Sequence, residues 1–228
     1  MNGDGYRYHV FLSYRRSRRE RDQPRDNHVE EWVASTFVPQ LQNDLTEALG
    51  EPSAIFLDTD EIGTGQDWER ALVEALRASY CIVPVWSSLY FRSEWCVSEW
   101  CTFRRRNVDL VIPIRWQRAV TLPKGASRYQ VRGFSEFTFR GDHFLKTEAF
   151  LRFQRETRSL ASEIQQRIDR APPFDPASSV VVPQAPPALN WANVIRLRDL
   201  PDFDDVFLKD RMRVTRADIR LDRQTGNG

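Results

Sequence analysis

Short apolar runs and helically spaced apolar positions take turns along most of the chain, a pattern that predicts alternating strands and helices. Tyr8–Ser13 (YHVFLS) is a run of strand-forming residues. Further on, Val29, Trp32, Val33, Phe37, Leu41, Leu45 and Leu49 recur at helical spacing, and Gly50 closes the run. Pro39 falls inside that stretch and predicts a kink or a split. Residues 54–58 (AIFLD) predict a second strand, leading into the turn-rich segment 59–66 (TDEIGTGQ). Asp67 is then a candidate N-cap for a helix whose apolar face holds Leu72, Val73, Ala75 and Leu76.

Residues 80–86 (YCIVPVW) form a continuous apolar run, as in a central strand buried on both faces, although Pro84 removes one ladder donor. Ser93 can cap a helix over Glu94–Arg106. Residues 109–115 (DLVIPIR) predict a fourth strand and the alternating 133–139 (GFSEFTF) a fifth. A last helix over about 145–170 carries Ala149, Phe150, Phe153, Leu160, Ile164 and Ile168 on one stripe. Five strands interleaved with helices predict an α/β fold, a flavodoxin-like five-stranded parallel sheet covered by helices on both faces. Ligands then belong at the carboxyl ends of the strands. Residues 1–170 read as this domain and residues 171–190 as a proline-rich linker or wrapping segment. Residues 191–228 hold too few apolar positions for a core of their own, so they are expected to pack back on the domain or on a partner.

Composition adds limits. The chain is 41% hydrophobic, enough for a real core, and its charges nearly cancel to +1, which makes no case for nucleic acid or membrane as the main partner. The arginine-rich segment 15–25 is interrupted by Glu20 and Asp22, and with the run Arg104 to Arg106 it reads as solvated surface. Three cysteines, Cys81, Cys96 and Cys101, form neither a CxxC pair nor an even framework, which fits a reducing cytoplasm. The N-terminal residues lack the look of a signal sequence, and no apolar run approaches the roughly 18 residues of a membrane span. A cytoplasmic protein is the expectation.

The stretch richest in chemistry is 89–100, LYFRSEWCVSEW. In a helix starting near Ser93, Trp95 and Glu99 stand at i and i+4 on one face, just beyond the third strand's carboxyl end. An indole beside a carboxylate can hold a flat cationic ring and its attached sugar. The same spacing also suits a core aromatic next to a surface acid. Arg15 or Arg16, after the first strand, could meet a pyrophosphate or simply face solvent. Gly63-Thr64-Gly65 lacks the third glycine of a dinucleotide fingerprint, since Trp68 stands there. Cys96 and Cys101 have no partner histidine in view and read as small buried residues, and His9, His28 and His143 have no metal-ligand spacing.

Three blocks carry a family resemblance. Ser13-Tyr14-Arg15 after the first strand resembles the opening box of TIR (Toll/interleukin-1 receptor) domains. Phe56-Leu57-Asp58, followed by Asp60 through Trp68, resembles their second strand and the loop after it, and 87–99 (SSLYFRSEWCVSE) is similar to their serine, aromatic, tryptophan-cysteine, glutamate stretch. The resemblance spans roughly residues 6–170 and matches nothing after 171. It implies a domain of the NAD⁺-cleaving bacterial type, since the family's required glutamate falls on Glu99, and adaptor-type members usually lack it. A tryptophan four residues earlier in several members falls on Trp95. Further substrate contacts are implied for Ser13, Tyr14, Arg15, Asp58, Gly63 and Trp68. NAD⁺ is the implied substrate, with no cofactor and no metal, and the products are nicotinamide with ADP-ribose or a cyclic isomer. Immune or antiphage defence is the implied setting. The 59–67 loop, with Gly63 and Gly65, is implied to reach a neighbouring TIR domain, and residues 171–228 to offer a second contact for a sensor or effector. Two other readings stay open: a non-catalytic interaction module binding other TIR domains, and a nucleoside deoxyribosyltransferase, which also sets a carboxylate on a flavodoxin-like sheet.

Overall fold

The computed structural model describes residues 5–16, 28–57, 66–118, 120, 122–139, 144–183 and 212–215. Five parallel strands form the central sheet in the order β2-β1-β3-β4-β5. They are β1 (Tyr8–Ser13), β2 (Ile55–Leu57), β3 (Ser79–Trp86), β4 (Ile114–Arg115) and β5 (Arg132–Gly133). This is the expected flavodoxin-like order. Right-handed crossovers then assign the layers. The chain moves one way from β1 to β2 and the other way from β2 through β3 to β4, so the connecting helices fall on opposite faces. The first crossover ends in α2 (Val38–Leu49), and the last helix, α5 (Glu148–Ile168), packs on it. The other face carries α3 (Gln66–Arg77) and α4 (Glu94–Arg106).

The first long helix is split as Pro39 predicts. α1 (His28–Trp32) runs into a π-helical turn, Val33–Phe37, before α2 begins. The Val38 N–H reaches back to the Val33 carbonyl, one residue further than an α-helical bond, where the ring of Pro39 crowds the preceding turn. Gly50 ends α2 in the left-handed region, φ 71°, its N–H bonded to the Thr46 carbonyl.

β3 is buried at every position. The carbonyls of Ile82 and Trp86 accept from Ile112 and Trp116, so the residue midway between them would present its donor on the β4 side. That residue is Pro84, and the β3–β4 ladder is broken there into a bridge at Val111 and a two-residue strand. β4 is accordingly shorter than the predicted 109–115. An Asn107 side chain accepting from the Asp109 N–H turns 108–110 into a 3₁₀ helix, which consumes its start.

Three further expectations need correction. α3 begins at Gln66, so Asp67 lies in its first turn and is not the N-cap. β5 covers only Arg132 and Gly133; the alternating residues after it form a turn in which the Phe137 N–H bonds the Phe134 carbonyl, and both rings are buried. α5 starts at Glu148 with Thr147 as its cap, after a 3₁₀ turn over Phe144–Lys146.

Beyond α5 the chain folds back on the N-terminal end of the domain. Tyr6 donates to the Pro172 carbonyl at 3.0 Å, and its ring meets that of Phe174. Gly5, at φ 93°, leaves the room that ring needs: a Cβ there would meet it at 2.6 Å. Within the proline-rich stretch, three consecutive valines build β6 (Val180–Pro183), entirely buried. It packs on α4 and pairs antiparallel with β7 (Met212–Thr215). No helix among the described residues is long and apolar enough to cross a membrane.

Candidate functional site

The strand order reverses between β1 and β3, and in sheets of this kind a crevice opens outside the carboxyl ends of the two strands flanking that point. Ser13 is the last residue of β1, and α4 enters from the end of β3 through a turn, Tyr90–Arg92. Ser93 stops the turn and caps α4: it is extended (φ −95°, ψ 115°), and its Oγ accepts from the Cys96 N–H. Arg15 donates from Nη1 to the same Oγ at 3.4 Å, tying the loop after β1 to the helix start.

Glu99 lies in the second turn of α4 and is only 5% exposed. A carboxylate this buried demands polar partners. Ser13 Oγ donates to Glu99 Oε2 at 2.5 Å, a short contact between residues 86 positions apart. The Tyr90 hydroxyl lies 2.9 Å from Ser13 Oγ and donates to the Cys96 carbonyl at 2.9 Å. Burial, with smaller contributions from Cys96 and Glu99, pushes the Tyr90 phenol well above its ordinary range, so it keeps its proton and can donate.

One helical turn before Glu99, Trp95 is half-buried. Trp68 of α3 meets it edge to face, with ring centroids 4.7 Å apart and planes at 78°. The two indoles make an aromatic corner on the helix face that also carries Glu99. Tyr14 packs into the hydrophobic core, and Arg15 is half-buried at the start of α4. Asp58, Gly63 and the rest of the 59–65 loop lie outside the described residues, as do 17–27 of the arginine-rich segment and most of 184–228.

Sequence reasoning passed over Tyr90. The signal lies in the structure: Tyr90 and Phe91 are both fully buried, and a tyrosine in such a place needs a partner for its hydroxyl where a phenylalanine does not. The three cysteines are buried and in no disulfide, and burial pushes the thiols of Cys81 and Cys101 up to about 12, which keeps those two protonated near neutrality. His9 is committed to the fold: its Nδ1 accepts from the Ala54 N–H at 2.9 Å. Among the described residues, no group of histidine, cysteine, aspartate and glutamate has the geometry to hold a metal ion.

Comparison with known proteins gives a family. A family model described as TIR domain matches residues 10–146, more than half of the chain. Among solved structures, the chain is similar to the TIR domain of the Toll-related receptor TRR-2 from Hydra magnipapillata. The two share 16% identity over 67% of this chain and 99% of that one, with a TM-score of 0.42. It is also similar to the TIR domains of the activated Roq1 resistosome that directly recognises the pathogen effector XopQ, at 23% identity over 68% of this chain and 84% of that one, with a TM-score of 0.33. No curated protein sequence matches.

Proposed function

The chain belongs to the TIR-domain family, and from that premise we propose that it cleaves the nicotinamide–ribose bond of NAD⁺ with Glu99 as the catalytic carboxylate. The observation that carries this reading is the position of Glu99: buried, hydrogen-bonded by Ser13, and at the sheet rim where the strand order reverses. A buried carboxylate is costly to keep, and a ligand-binding rim is where that cost finds a use.

The chemistry suits a single acid. The nicotinamide ring of NAD⁺ is already cationic, so breaking its bond to the ribose C1′ releases a neutral molecule that needs no general acid, unlike ordinary glycoside hydrolysis with two carboxylates. Glu99 hydrogen-bonds the ribose hydroxyls and opposes the positive charge that grows at C1′, a preorganised electrostatic effect. Water adds to C1′ and gives up a proton, leaving ADP-ribose; attack by the adenine of the same molecule instead gives a cyclic isomer. Trp95 stacks on the nicotinamide, cation–π attraction favouring its charged form, with Trp68 as the adjoining wall. Arg15 meets the pyrophosphate.

Assembly belongs to the same proposal. The 59–67 loop contacts an adjacent TIR domain and completes the pocket, so turnover rises with concentration. The extension after residue 171 serves as a contact for a sensor or effector protein, in immune or antiphage defence. The test is to incubate purified protein and its Glu99→Ala variant with NAD⁺ over a range of protein concentrations, identifying products by mass. Wild type should release nicotinamide, and the variant should do so about 10²–10³-fold more slowly. Equal rates would remove Glu99 from the site. No NAD⁺ loss at any concentration, with a TIR-bearing partner co-purifying, would favour a non-catalytic interaction module. Turnover of deoxynucleosides in place of NAD⁺ would favour a deoxyribosyltransferase.

A further inference from the structure

We propose that Ser13 and Tyr90 are positioning residues that fix the Glu99 carboxylate before substrate arrives, and that Ser13 acts through Glu99 and does not contact the substrate. The inference rests on the reading of Glu99 as the catalytic carboxylate.

Three side chains from three separate parts of the fold meet in one line. Ser13 ends β1, Tyr90 stands in the turn after β3, and Glu99 lies on α4. Ser13 donates to Glu99 Oε2 at 2.5 Å, Tyr90 lies 2.9 Å from Ser13 Oγ, and Tyr90 donates to the Cys96 carbonyl at 2.9 Å. The line therefore begins and ends on α4. It spans the same helix that carries the carboxylate and anchors it to the sheet.

Burial assigns the roles. Ser13 is 1% exposed and Tyr90 not at all, so a ligand in the crevice has next to no surface of either to touch. Glutamate has three side-chain torsions, and serine has three staggered χ1 wells. Ser13 holds one carboxylate oxygen in place. Ser13 gives its one proton to Glu99, so the proton of the Ser13–Tyr90 contact is that of Tyr90, shared between Ser13 Oγ and the Cys96 carbonyl. A Ser13 oxygen that accepts from Tyr90 keeps its own proton turned toward Glu99. A carboxylate oriented in advance has no reorganisation left to make as charge develops at the ribosyl carbon. The Tyr90 ring packs against Phe91, a fully buried phenylalanine on the same turn that does without a hydroxyl.

The test uses Ser13→Ala, Ser13→Thr and Tyr90→Phe in the whole chain, each checked by circular dichroism to be folded at the assay temperature. Ser13→Ala should lower kcat for NAD⁺ by about 10- to 100-fold, the scale of a misoriented group. KM should stay within about twofold, since no substrate contact is lost. Ser13→Thr, which keeps the hydroxyl, should recover most of kcat. Tyr90→Phe should lower kcat by about 3- to 10-fold, the worth of one neutral hydrogen bond. If Ser13→Ala does not fold, the threonine and phenylalanine variants carry the test. A raised KM with kcat intact would make Ser13 a substrate ligand and overturn the proposal, as would an unchanged kcat.

A second readout does not need turnover. Isotope-edited infrared spectra, with the Glu99 band assigned by difference against Glu99→Gln, should show its carboxyl stretch displaced in Ser13→Ala and, more weakly, in Tyr90→Phe. An unmoved band overturns the positioning role. A displaced band in a protein that releases no nicotinamide would leave the positioning standing and defeat the NAD⁺ reading alone.

Discussion

Helices α4 and α5 lie on opposite faces of one sheet and bury themselves in opposite ways. α5 buries a stripe, Phe153, Thr157, Leu160, Ala161 and Ile164, at the three-and-four spacing of an amphipathic helix, and leaves the rest to solvent. α4 buries every residue from Cys96 to Phe103. The sheet covers one side of it, and β6 closes another. A helix wet on one side can leave its polar groups to water. One enclosed all round must find a partner for each. Ser98 donates to the Trp95 carbonyl, Thr102 bonds Val181 of β6, and Glu99 is held by Ser13. Thr102 joins α4 to β6, and Ser98 is satisfied within its own helix. Glu99 meets the end of β1 through Ser13, but it does so as a buried acid where a neutral side chain would be cheaper to enclose, and this separates a side chain kept for chemistry from ones kept for the fold.

That contrast can be broken by substitution. The largest effect on stability is expected at Thr102. The buried Val181 N–H donates to its Oγ1 at 2.9 Å, so Thr102→Val leaves a buried donor without that acceptor. A loss of about 1–3 kcal/mol should appear in urea unfolding. Ser93→Ala should cost about 1 kcal/mol, because it removes the α4 cap. It also removes the Arg15 contact to Ser93 Oγ. The smallest effect belongs to α5. Among the described residues Thr157 donates to carbonyls of its own helix, those of Phe153 and Gln154, and Thr157→Val should lie within about 0.5 kcal/mol of wild type. A threonine on α5 that proved as costly as the one on α4 would erase the distinction between the two helices.

The two helices also differ in how far the sequence discloses them. The α5 stripe reads directly from periodicity, and so does β1, whose bounds are as expected. α4 has its expected bounds because a cap serine and a basic last turn mark its ends, but nothing in its pattern tells that β6 encloses it. The three valines of β6 stand in a proline-rich stretch, where composition points to a linker and the burial comes from a helix some 80 positions earlier. Phe134 and Phe137 mislead in the other sense: alternation suggests a strand, whereas a turn buries both rings. For the site, the Trp95–Glu99 spacing and the strand order are local or topological and could be foreseen. The meeting of Ser13 with Glu99 is a long-range contact that periodicity cannot carry. Asp58 and Gly63, implied by family resemblance, lie outside the described residues.

The central claim is that a carboxylate enclosed on α4 drives loss of nicotinamide from NAD⁺. Its most direct test is the initial rate of nicotinamide release at saturating NAD⁺ for wild type against Glu99→Gln, an isosteric change that removes the charge alone. The account predicts a fall of at least about 10²-fold, with the fold intact by circular dichroism and its unfolding midpoint unchanged or raised. A Glu99→Gln protein that turns over NAD⁺ as fast as wild type would contradict it.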